Sequence, residues 1–129
     1  MRWLIALLPV LALAGCGGED TVHAGNGTFR LRLEEYRMVP QRIQVEGPRV
    51  TIVARDAGIL THNVKIFSTT KTDAEGKPVQ IGPGTPTAHP GETVSRTETL
   101  APGRYRLACS IANHDDLGLH GLLIVSGRS

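Results

Sequence analysis

Short apolar alternations, broken by glycine and proline and never settling into a helical period, constrain this chain more than any other feature. Residues 28–36, TFRLRLEEY, set Phe29, Leu31 and Leu33 on one side and Arg30, Arg32 and Glu34 on the other. A period of two belongs to a strand with one face buried. RIQV (42–45) and RVTIVA (49–54) follow, separated by the turn signal Glu46-Gly47-Pro48. NVKIF (63–67) alternates again, and ETVSRTETL (92–100) is β-branched with a weak apolar face. RYRLAC (104–109) and LLIV (122–125) supply the last two strands. Residues 71–91 are irregular and rich in Gly, Pro and Thr. They predict a long surface connection with one short edge strand near Val79–Ile81. Fifteen glycines and eight prolines in 129 residues supply the turns. With no internal repeat, seven or eight short strands predict an all-β, Greek-key antiparallel β-sandwich.

The first residues read differently. MRWLIALLPVLALAGC carries Arg2, then an apolar run from Trp3 to Leu13 that is too short for a permanent span. It has the form of a signal peptide. Leu13-Ala14-Gly15-Cys16 looks like a bacterial lipobox, in which the cysteine receives a lipid and becomes the mature N-terminus. The expected organisation is a lipoprotein signal peptide over 1–15, a lipidated Cys16 with a polar, Gly-rich tether over 16–27, and one domain over 28–129. The domain is then expected in the cell envelope, anchored to the outer side of the cytoplasmic membrane or in the periplasm of a two-membrane bacterium.

Charge narrows the choice of partner. The net charge is +2, with basic residues scattered and no basic patch interleaved with aromatics, so nucleic acid is not an expected partner. The two cysteines matter more. With Cys16 lipidated, Cys109 has no internal disulfide partner, and a leftover cysteine in an exported protein is a reactive thiol or a ligand.

Cys109 and His114 flank a short loop between the last two strands, close enough to reach one metal ion. A soft thiolate with an imidazole suits copper or zinc, not calcium or magnesium. A third ligand must come from elsewhere, and His62, at the start of an upstream strand, is the candidate. Two His and one Cys in a plane form the trigonal blue-copper arrangement, normally completed by a weak axial Met.

At these residues the chain resembles the cupredoxins, the type 1 blue copper proteins. GRYRLACSIANHDDLGLHGLLIV is similar to their C-terminal signature, THNVKIF to their upstream His-Asn segment, and HPGETVSRTETLAPGRY to the strand before the final hairpin. The likeness covers most of the chain after Thr28. It implies one type 1 copper cycling between Cu+ and Cu2+, with His62, Cys109 and His114 as equatorial ligands. It also implies that Asn63 ties the two ligand segments together. Counting back from Gly121, the family's axial methionine position falls on Leu119, which has no lone pair to donate. Losing that donor disfavours Cu(II) and raises the potential, so Leu119 is expected in the axial position without coordinating.

Several residues compete for attention. Cys109 could be a small buried hydrophobe. His120 should point away from Leu119 along a strand, towards solvent. Asp115 and Asp116 read as a solvated acidic turn, His23 and His89 as solvated, and Met38 as a residue of the first strand region. The expected function is a monomeric, membrane-tethered carrier of single electrons between exported redox donor and acceptor proteins, not an enzyme. A copper delivery or buffering protein serving an exported oxidase is the alternative. The mature chain's single methionine, Met38, counts against it.

Overall fold

The computed structural model describes residues 21–127. The expected signal peptide, Cys16 and the first part of the expected tether lie outside the described residues. Ten strands run β1 Val22–Ala24, β2 Thr28–Glu34, β3 Arg37–Val39, β4 Arg42–Glu46, β5 Arg49–Asp56, β6 Lys65–Thr72, β7 Pro78–Ile81, β8 Thr93–Thr99, β9 Gly103–Ala108 and β10 His120–Ser126. They form a six-stranded sheet, β1-β4-β10-β9-β6-β7, and a four-stranded sheet, β3-β2-β5-β8. Among the described residues no helix is long and apolar enough to cross a membrane.

Alternation builds the sandwich as expected. Phe29, Leu31 and Leu33 of β2 and Val50, Ile52 and Ala54 of β5 point inward from the smaller sheet. Ile43 and Val45 of β4, Ile66 of β6, Leu107 of β9, and Leu123 and Val125 of β10 complete the core from the larger one. Each such Val, Leu, Ile or Phe side chain contributes about 1.5–3 kcal/mol relative to exposure. The weak face of β8 resolves as an edge strand, where Arg96 Nε meets Glu98 Oε1 at 2.7 Å beside half-buried Val94.

The sandwich differs from the expected one in four ways. It is mixed rather than antiparallel throughout, because β1 pairs parallel with β4, β4 with β10, and β2 with β5. It has ten strands instead of seven or eight, since β1 and β3 are three residues each, too short to show an alternation. β1 also falls inside the stretch expected to be tether, with Val22 opposite Ile43 and Ala24 opposite Val45. The segment is held next to β4 partly because Gly27 (φ +79°) turns the chain where a Cβ would come within 2.6 Å of the Arg49 carbonyl oxygen. Finally, β6 runs on to Thr72, so the irregular connection is shorter than expected and is edged by β7.

Candidate metal centre

Two chain segments far apart in the sequence meet at one pole of the sandwich. His62 lies in the connection from β5 to β6, locked by reciprocal backbone bonds with Ala88: His62 N–H donates at 3.1 Å and Ala88 N–H returns at 2.8 Å. Cys109 directly follows β9, and its N–H donates to the Leu119 carbonyl at 3.0 Å, closing the loop at its base. Inside that loop the Leu119 N–H donates back to the His114 carbonyl at 3.0 Å. Gly118 (φ +124°) lets the loop pass Tyr36, whose carbonyl oxygen would lie 2.5 Å from a Cβ there.

The side chains converge. Ligand-capable atoms of His62, Cys109 and His114 all lie within 4.8 Å of one another, and among the described residues this is the one such group of three. Cys109 Sγ is 3.7 Å from His114 Nδ1, and the two imidazoles approach edge to face with centroids 5.0 Å apart. All three are buried: His62 at 0%, Cys109 at 1% and His114 at 7% exposure. His114 is therefore the most accessible of the three, though more covered than a surface loop position implies, with the Tyr36 ring at its edge 6.0 Å away.

His62 Nδ1 is buried without any hydrogen-bond partner. A polar atom left unpaired inside a protein calls for an explanation. A metal ion supplies one, since a neutral imidazole nitrogen is a common metal ligand. The donor set of one thiolate and two imidazoles, with no carboxylate among them, is that of a type 1 copper site. The residues present fit the group.

Asn63 joins the two halves of this cluster. Its Oδ1 accepts the Ser110 N–H at 2.9 Å and its Nδ2 donates to Ser110 Oγ at 3.0 Å. The other candidates fall elsewhere. Asp115 is engaged by the Arg106 guanidinium. His120 lines an open depression of about 410 Å³ on the outer face of the larger sheet with Arg42 and Arg104. His89 pairs with Glu92 on the surface. Met38 is fully buried, its Sδ 3.2 Å from where a Cβ on Gly121 would lie. Leu119 is fully buried at the base of the ligand loop.

Two residues here were not legible in the sequence. Glu35, in the turn between β2 and β3, places its Oε1 3.2 Å from His62 Nε2. Chiefly the backbone N–H of Leu60, with smaller contributions from Ile59 and the His62 ring, holds its carboxyl below the ordinary value against an opposing cost of desolvation. Tyr36 beside it edges His114.

Solved structures carry the same architecture. An auracyanin from the photosynthetic bacterium Roseiflexus castenholzii superposes with a TM-score of 0.66 at 20% identity, covering 80% of this chain and 99% of its own. Auracyanin A, a "blue" copper protein from Chloroflexus aurantiacus, gives 0.62 at 22% identity, covering 83% and 100%. A purple cupredoxin from Nitrosopumilus maritimus gives 0.53 at 18%, covering 75% and 98%. This chain has the cupredoxin fold. No protein-family model matches it, and no curated protein matches it by sequence. Within the cupredoxin fold the His62 segment and the β9–β10 loop share one pole, so Asn63 and Ser110 have only a short gap to close.

If that link holds the pole together, Asn63→Ala leaves the Ser110 N–H unpaired. The metal-free protein should then lose about 1–3 kcal/mol. Urea unfolding measures it, and an unshifted midpoint would show that the link contributes no stability.

Proposed function

We propose that this chain is an exported, lipid-anchored type 1 copper protein that carries single electrons between redox partners. The observation that carries this reading is the buried His62–Cys109–His114 cluster with an unpaired Nδ1 at its edge. His62, Cys109 and His114 would hold the ion, and copper bound there supplies a one-electron couple between Cu(II) and Cu(I).

The protein's part is to keep the donors fixed. Backbone bonds from Ala88, Leu119 and Ile111 fix the three ligand positions, and Asn63 links the His62 segment to the Cys109–His114 loop. Their burial excludes water, so both oxidation states meet nearly the same surroundings. His114, covered least, offers the shortest way in for an electron, through an edge flanked by Tyr36. Handing an ion to an acceptor protein needs a reachable donor or an open position, which three buried side chains do not provide. This favours electron transfer over copper delivery.

Copper reconstitution with an absorption spectrum tests the reading. The wild type should show an intense visible thiolate-to-copper band and Cys109→Ala none, with the fold retained by circular dichroism. A wild type that binds copper without such a band overturns it.

Leu119 brings no donor to the site, which favours Cu(I). Leu119→Met adds a thioether at similar volume, a swap that typically costs less than about 1.5 kcal/mol. Voltammetry should show the potential fall on the order of 59 mV, the equivalent of a tenfold change in relative affinity for one electron. An unchanged potential would mean that residue 119 does not face the ion.

Membrane attachment is proposed to run through a lipid on Cys16. Expressed from the full chain in a bacterium, Cys16→Ser should move the protein from the membrane to the soluble fraction. Mass spectrometry should find a lipid-modified N-terminus on the wild type alone. Equal membrane association of both forms would refute the anchor.

A further inference from the structure

Glu35 concentrates three interactions on one oxygen. Its Oε1 accepts the Ile59 N–H at 2.8 Å and the Leu60 N–H at 2.9 Å, and lies 3.2 Å from His62 Nε2. The carboxylate reaches this position only because residue 58 is glycine: a Cβ there would sit 2.1 Å from the same oxygen. Next to it, Asp56 Oδ1 accepts the Gly58 N–H at 2.9 Å, so two carboxylates brace the turn leading into His62. The His62 ring is wholly buried, and its other nitrogen has no partner.

These facts fix the ring's chemistry. A carboxylate only accepts, so the nitrogen facing it must carry the proton. With Nε2–H directed at Glu35, the free lone pair sits on Nδ1, the nitrogen left without a partner. A histidine that ligates a metal commonly donates its other N–H to a carboxylate, which sets the tautomer and raises donor strength. Glu35 would also place its negative charge across the imidazole ring from an ion held at Nδ1.

We infer that Glu35 is a positioning residue for the metal centre, holding the His62 proton on Nε2 and favouring Cu(II) through its charge. The tautomer half stands on the protein alone, and the redox half rests on the copper site proposed above. The two levers on this site then oppose each other. Leu119 withholds a donor and favours Cu(I), while Glu35 strengthens a donor and favours Cu(II).

Two measurements test this. Nitrogen-15 NMR of the metal-free protein should show His62 protonated at Nε2 in the wild type and in Glu35→Gln, whose amide oxygen still accepts. Glu35→Ala should give a mixture of tautomers. Protonation at Nδ1 in the wild type, or an unchanged tautomer in Glu35→Ala, overturns the positioning role. In the copper-loaded protein, Glu35→Gln should lower the preference for Cu(II) over Cu(I) about tenfold, the order expected for removing one charge about a ring's width from the ion in a partly screened site. Voltammetry reads this as a rise of about 59 mV. A wild-type potential in Glu35→Gln overturns the charge half, because a merely structural contact survives that substitution. Failure of every form to develop the visible band would remove the electron-carrier reading, and the NMR result would still decide whether Glu35 sets the tautomer.

Discussion

The site hangs on the hydrogen bonds between Asn63 and Ser110. His62 and Cys109 sit on segments far apart in the chain, and the β6–β9 pairing, which sets Lys65 opposite Ala108, stops just short of both. One amide side chain closes the distance by accepting from the Ser110 backbone and donating to its hydroxyl. Cys109 is thereby held from both sides, by Asn63 through its neighbour and by its own N–H bond to Leu119. A ligand set made from two distant segments needs such a link, because an error of about 1 Å in one donor is enough to degrade a functional geometry.

Most of the sandwich was legible because burial imposes a period on the sequence. Phe29, Leu31 and Leu33 could be assigned to one face before any coordinates, and the structure puts all three in the core. β1 and β3 could not be found that way. Three residues carry too little alternation, and Val22–Ala24 sits in a polar, Gly-rich stretch whose composition argues for a tether. The parallel pairs were equally hidden, since strand direction depends on how distant strands meet and not on the period within any one of them.

The metal cluster was legible for a different reason: thiolate and imidazole donors are rare, and their chemistry marks them. Glu35 carries no such mark. In the sequence it is the second of two glutamates closing an amphipathic strand, and its neighbour Glu34 pairs with Arg32 on the surface. Its importance comes from a turn that breaks the alternation and aims it across a gap of 27 positions at His62. Gly58, which makes room for it, reads in the sequence as one more turn glycine.

The direction of β1 bears on where such a molecule could work. β1, β4 and β10 run parallel, and β10 begins at the metal pole, so β1 also starts on its pole-ward end, with Val22 level with Ile43 and Leu123. On the proposed anchor, residues 16–21 are all that separates the lipid from that point. Six residues span at most about 20 Å even when fully extended. The leash would thus attach on the side of the molecule nearer the metal and be shorter than the domain it holds. The carrier could swivel over the bilayer but could not wander from it, and the partners within its reach would be those presenting their own redox centres close to the membrane surface.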